Sequence, residues 1–398
     1  KVKVTKTYGD GAFTNELTKT GDGTVKYTSS DVNVATINSS SGEVIIKDAG
    51  TTTITATVTD GTNYTYNTNI ASYSLIVSTS SNPISVTANT LTYNGKNQNL
   101  VTTKNAIGNV CYSLSSEVTS CTSQGTIPAE TDAGTYTVYY YAEGNTNYSS
   151  VKGNVKVTIS KKTITPNAYT VTYDGNKKFV RTYTTGILSE TLKLTYTSYA
   201  ATAGTYSYST SAVASKYTLA VADGSGKASN YNISNPGTLT INKKAASISY
   251  ATKTVTKTYG DAAFTNAITN TGDGNVKYTS SNVNVATVDV NTGKVTIVGA
   301  GTATITATVT DGTNYTYTTK TATYTLTVNK ADNPVKVTSN TLTYNGNAQD
   351  LVTVSNINGN MCYSTSASVT SCSSSQDIPQ KTDAGTYTVY YYAEGNTN

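Results

Sequence analysis

The 398-residue chain contains no histidine, no tryptophan, one methionine, three phenylalanines and six prolines. Without histidine the Ser–His–Asp and Cys–His arrangements of nucleophilic catalysis are impossible, and the commonest neutral metal ligand is missing too. Charged residues make up only 13% of the chain, and the formal charge of +5 is spread thinly along it. The longest basic clusters are pairs: Lys161 with Lys162, Lys177 with Lys178, Lys243 with Lys244. Such pairs are too sparse for a phosphate-tracking groove, so nucleic acid is not an expected partner. No stretch approaches the roughly 20 apolar residues of a membrane-spanning helix, and no signal peptide is visible. The acids Asp10, Asp22, Asp60 and Asp174 sit in turn contexts rather than converging on one site. The sequence therefore reads as non-enzymatic and without a cofactor.

Tyrosine takes the place of the missing aromatics, with 33 copies. A chain this polar and this weakly charged can be disordered when apolar residues are scarce. Here, however, Val, Ile, Leu and Tyr alternate with Thr and Ser, as in TATITATVT at residues 302–310. Period-two alternation of β-branched and aromatic residues predicts half-buried strands, with tyrosine as the aromatic core.

The chain also repeats itself. TKTYGD at residues 5–10 returns at residues 256–261, an offset of 251, and TDAGTYTVYYYAEGNTN at residues 131–147 returns unchanged at 382–398. Within that period lie three segments of about 84 residues, which share landmarks. A Tyr-turn stands near each start (Tyr8, Tyr93, Tyr173, Tyr259, Tyr344), and an Ala-Gly pair before a late strand (Ala49, Ala133, Ala203, Ala300, Ala384). Asn-Tyr then opens a last strand at Asn63, Asn147, Asn230 and Asn314. The expected segments are 1–80, 81–161, 162–244, 245–331 and 332–398, with the first and last expected to be truncated pieces of a longer protein. Short strands recurring with Asn-Gly and Asp-Gly turns, and no helical pattern, point to a sandwich or barrel, and segments of about 84 residues joined end to end favour β-sandwiches. Pro83, Pro166 and Pro334 lie near joints with little slack, so the array is expected to be an extended, fairly rigid rod.

Cysteine occurs at one spacing in two copies of the same segment: Cys111 with Cys121, Cys362 with Cys372. An intrasegment disulfide, and with it an oxidising compartment, is the preferred reading over free thiols or zinc, for which no third and fourth ligands stand out.

YTSSNVNVATVDVNTGKVTIVGAGTATITATVT at residues 278–310, and its counterpart at 27–59, resemble the bacterial immunoglobulin-like group 2 signature. The segments carrying LTYNG…DAGTYTV and VTYDG…TAGTYSYS resemble MBG-type repeats of large bacterial surface proteins. The resemblance implies all-β, tandem immunoglobulin-like sandwiches exported to the cell surface, in adhesins, intimin-like proteins and surface-layer proteins. Some such members bind ligands and many are spacers.

Four lesser features remain. Thr-Gly-Asp-Gly at residues 20–23 and 271–274 offers one Asp each, so it reads as a turn before a structural calcium site. Lys–Asn isopeptide bonds are conceivable, but no spacing demonstrates one. Tyr139, Tyr140 and Tyr141 could form a surface contact stripe, Tyr139 and Tyr141 on one face of their strand and Tyr140 on the other. Asn38, Asn63, Asn147, Asn232 and Asn314 stand in glycosylation sequons. The expected function is a structural stalk or spacer at the cell surface. The alternatives are a self-assembling subunit of a filament or surface layer, partnered by its own copies or neighbouring fibres, and multivalent modules binding glycans or a host protein.

Overall fold

The computed structural model describes residues 2–398, and strand is its dominant element. Among the described residues the helical content is one 3-10 turn, Ala228–Asn230. The fold is all-β, built of tandem immunoglobulin-like sandwiches. By contact density the chain divides into two compact units. One runs through Asn167 and adds Val180–Thr195 and Leu219–Gly237; the other comprises Ala168–Phe179, Tyr196–Thr218 and Thr238–Asn398.

In the first unit the opening segment is a four-stranded sheet in the order Lys3–Thr7, Ile70–Ser78, Gly50–Thr59, Thr24–Ser29. Lys3–Thr7 and Ile70–Ser78 pair in parallel, Val4 opposite Leu75, and the other pairs are antiparallel. A second sheet, Phe13–Thr14, Glu43–Ile46 and Ala35–Ile37, carries the rest of the segment. The core is Val34, Ala35, Val44, Ile54, Leu75 and Val77. In Gly50–Thr59 the residues Thr52, Ile54 and Ala56 turn inward while their neighbours face out, which is the alternation the sequence carries. A one-residue slip would expose that set, so the pattern itself pins the register. The second segment forms a sheet of Leu91–Thr92, Val151–Ser160, Gly134–Ala142 and Val110–Ser113, around Leu100, Val101, Val138 and Val157. Cys111 and Cys121 are joined, with Cα atoms 5.5 Å apart.

The second unit repeats the opening plan at residues 254–329: Thr254–Thr258, Thr321–Asn329, Gly301–Val309, Val276–Ser280 in one sheet, Phe264–Thr265, Lys294–Ile297, Ala286–Val288 in the other. An antiparallel pair of short strands, Ile248–Tyr250 and Ile268–Asn270, adds to this core, seating Tyr250 edge-on to Tyr324 at 4.8 Å. Cys362 and Cys372 are also joined, at 5.4 Å between Cα atoms.

Tyrosines fill this core in two distinct ways. Tyr317 donates its hydroxyl to Asn270 Oδ1 at 2.6 Å and accepts from the Gly274 amide. The Tyr324 hydroxyl is buried with no protein partner among the described residues, and burial pushes its ionisation up to about 12. Removing a paired hydroxyl costs about 1 kcal/mol, whereas removing an unpaired buried one is neutral or gains a comparable amount. We therefore expect Tyr317→Phe to destabilise residues 245–331 and Tyr324→Phe to leave them unchanged or more stable, read as urea-dependent amide exchange at Ile305 and Leu326. Equal losses in both variants would refute this account of the core.

Each disulfide closes a short loop, 10 residues apart in sequence. Replacing Cys111 and Cys121 together by serine is expected to lower the stability of the second segment by about 2–3 kcal/mol. Amide exchange at Val138 checks this, with the fourth segment's Ile305 as the unaffected reference.

Candidate functional site

The landmarks that mark the repeat in the sequence converge in space at the joints between successive segments. Four of the Tyr-turn residues follow a strand that runs parallel to the last strand of the segment: the amides of Tyr8, Tyr93, Tyr173 and Tyr259 donate to the carbonyls of Ser78, Ser160, Asn242 and Asn329. The chain leaves each segment at this pole. A single residue then separates Ile70–Ser78 from Ser80–Ser81, Val151–Ser160 from Lys162–Ile164, and Leu239–Asn242 from Lys244–Ala246. Each new strand pairs at once, in parallel, with the Asn-Tyr strand of the following segment: Ser80 opposite Tyr148, Lys162 opposite Tyr231, Lys244 opposite Tyr315.

The Asn of that strand reaches back across the joint. Asn147 Oδ1 accepts the Ala49 amide at 2.7 Å, Asn230 Oδ1 the Ala133 amide at 2.8 Å, Asn314 Oδ1 the Ala203 amide at 2.9 Å, and Asn398 Oδ1 the Ala300 amide at 3.0 Å. Where an Asp precedes the Ala, the same side chain also donates: Asn147 Nδ2 to Asp48 and Asn230 Nδ2 to Asp132, at 2.7 and 2.9 Å. The following Tyr meets the Tyr-turn edge to face: Tyr148 on Tyr8, Tyr231 on Tyr93 and Tyr315 on Tyr173, at 5.4, 5.4 and 5.6 Å between ring centres.

Local turns aim the Asn. Asn145 Oδ1 accepts the amides of Asn147 and Tyr148, and Asp273 Oδ2 accepts that of Asn314. The Thr-Gly-Asp-Gly motifs thus hold the Asn-Tyr landmark, which begins a strand at Tyr315 but not at Tyr64: Asp22 binds the amide and side chain of Asn63, as Asp273 binds the amide of Asn314. Glycine follows the clamped Ala for a steric reason. Gly50 has φ of 155° and Gly301 of 143°, and a Cβ at either would lie 2.8 Å from a methyl of Val34 or Val285.

The second joint carries more than the others. Glu190 accepts hydroxyl hydrogen bonds from both Tyr93 and Tyr231, each at 2.6 Å. Burial first, and the Glu190 carboxylate second, push both tyrosine hydroxyls above their ordinary ionisation range. Lys227 pairs with Asp132, and its hydrogen bond, followed by that of Asn230, holds the Asp132 carboxyl below the usual range.

The sequence-derived candidates fall as follows. Tyr139, Tyr140 and Tyr141 are all half-buried in Gly134–Ala142, a strand paired along both edges, whereas their counterparts Tyr390 and Tyr391 are exposed. Tyr140 lies over Gly153, where a Cβ would come within 2.7 Å of its hydroxyl. Asn147 and Asn314 are clamp residues, and a glycan on Asn147 Nδ2 would displace Asp48; Asn38, Asn63 and Asn232 are exposed. Among the described residues no three His, Cys, Asp or Glu side chains stand together as a metal site. The clamp was missed in the sequence because its partners lie 98, 97, 111 and 98 residues apart. The available signal was an Asn recurring at one place in every segment.

Two stretches, residues 7–62 and 260–313, match the family model of the intimin immunoglobulin-like domain. No curated protein matches the sequence. Among solved structures, Drosophila N-cadherin EC1-3 aligns at 12% identity over 83% of this chain and 98% of its own, with a TM-score of 0.23. Surface layer protein SbsC, domains 1–6, aligns at 13% identity over 83% and 58%, with a TM-score of 0.21. The SusE-like surface located polysaccharide binding protein of the Bacteroides thetaiotaomicron heparin utilisation locus aligns at 14% identity over 80% and 51%, with a TM-score of 0.18. Scores this low bear on neither ligand nor partner.

Asn147→Ala removes one acceptor and one charge-assisted donor and is expected to weaken the first joint by about 1–3 kcal/mol. Proteolysis at the linker residue Thr79 should quicken while the core around Ile54 and Leu75 keeps its exchange protection. Cleavage at the wild-type rate would show that the clamp contributes nothing to holding the joint.

Proposed function

We propose that this chain is a stalk or spacer region of an exported, adhesin-like cell-surface protein, non-enzymatic and working without a cofactor. The observation that carries the reading is the clamp itself. The same Asn–Ala hydrogen bond recurs at four joints, three of which are crossed by a linker of one residue. A flexible tether would need neither feature, whereas a spacer gains reach from joints that resist bending. The intimin-domain match supports a surface setting, and the two disulfides support an oxidising one. The resemblance of the remaining segments to MBG-type repeats belongs to the same reading.

Sedimentation velocity with small-angle scattering over a wide concentration range tests it. A spacer of five segments of roughly 35–45 Å each should give a monomer with a maximum dimension of about 200 Å at every concentration. Growth with concentration would replace the spacer by a self-assembling subunit, and retention on a polysaccharide column would favour multivalent binding modules.

A further inference from the structure

We infer that Glu190 is a lock that makes the joint between the second and third segments the stiffest of the four, so that bending of the array is directed to the others. Three independent features separate this joint from its copies. The first is the carboxylate. Glu190 is bracketed by Tyr93 and Tyr231, which are 4% and 5% exposed. The equivalent tyrosines Tyr8, Tyr148, Tyr173 and Tyr315 are half-buried, and among the described residues none of their hydroxyls binds a carboxylate. Two charge-assisted hydrogen bonds at a partly buried carboxylate are worth more than ring contact alone.

The second feature is the loop that presents Glu190. The Thr185 amide donates to the Glu190 carbonyl and the Glu190 amide to the Ile187 carbonyl, closing residues 185–190 into a tight turn. Within it Leu188 and Ser189 hold φ of 46° and 62°, a left-handed backbone that side-chain-bearing residues rarely adopt. The turn rests on the Tyr93-Asn94-Gly95 turn of the preceding segment: a Cβ on Gly95 would stand 2.8 Å from Leu188 and 2.9 Å from Ile187. Thr185 hydrogen-bonds the Tyr231 hydroxyl from the same loop. The third feature lies on the Ala side of the joint. Asn230 is 1% exposed, and Asp132 is shared between its amide and Lys227. At the third and fourth joints the residue before the clamped Ala is Thr202 or Gly299, so no carboxylate is available there.

The clamped amides report each joint directly, because the donor lies in one segment and the acceptor in the next. In the full chain labelled with 15N-alanine, hydrogen exchange of Ala49, Ala133, Ala203 and Ala300 reads the opening of all four joints at once. Ala133 should exchange slowest, by at least about tenfold relative to Ala203, the equivalent of one charge-assisted hydrogen bond. Glu190→Ala should speed Ala133 several-fold and so narrow that margin, while Ala49, and the core amide of Ala142, keep their rates. Ala203 at its wild-type rate certifies that the third segment remains folded. If Glu190→Ala disturbs Ala203, Glu190→Gln decides, since it preserves shape and loses the charge: a several-fold faster Ala133 supports the lock, and an unchanged one overturns it. Equal exchange of Ala133 and Ala203 in the wild type would also overturn it. The lock gives the spacer reading a bending pattern, but the exchange rates concern the joint alone, so a chain that self-assembles in scattering could still carry it.

Discussion

One side-chain amide at each joint carries the architecture. The Ala N–H that it satisfies lies just before a strand, half-buried, where an unpaired donor would cost more than the bond itself contributes. Asparagine suits the position because one short side chain both accepts and donates. An aspartate there would face Asp48 or Asp132 with like charge and could not donate. The edge-to-face tyrosine pair adds apolar contact beside the amide, and the one-residue linker keeps both in register. Each segment thus offers a Tyr and an Ala-Gly at one pole and an Asn-Tyr at the other, and copying the segment copies the connection.

The joints share a plan but not a strength. Two add an Asp to the clamp, and one of those adds a carboxylate between the paired tyrosine hydroxyls. In an array whose stability is a sum of segments and nearest-neighbour interfaces, such differences set where the array yields first. The third segment contributes residues to both compact units. Its tyrosines also form a ring series of their own, Tyr169 on Tyr196, Tyr196 on Tyr217, Tyr217 on Tyr208.

Much of the fold is legible in the residues because its causes are local. Alternation in TITATVT and TATITATVT dictates which side chains turn inward, and Ile54 and Ile305 are found buried at 1% exposure each. The duplicated cysteine spacing pointed to Cys111–Cys121 and Cys362–Cys372, both of which are bonded. The tyrosine run was legible only in part. Alternation assigns Tyr139 and Tyr141 to one face and Tyr140 to the other, but strands on both sides and a glycine opposite Tyr140 decide how much of each ring meets water. The sequon at Asn147 reads as an acceptor in isolation, and only the neighbouring segment shows that its amide is already engaged.

The sequence by itself determined the alternating strands, the turns and the cysteine pairing, because period-two burial, Asn-Gly chemistry and a duplicated spacing act over a few residues or by direct copying. Tertiary structure alone decided what the landmarks are for. Asn147, Asn230, Asn314 and Asn398 meet alanines about a segment away in sequence, and Glu190 meets Tyr93 across 97 residues. Those meetings depend on how one folded sandwich is seated on the next, and no local propensity encodes that seating.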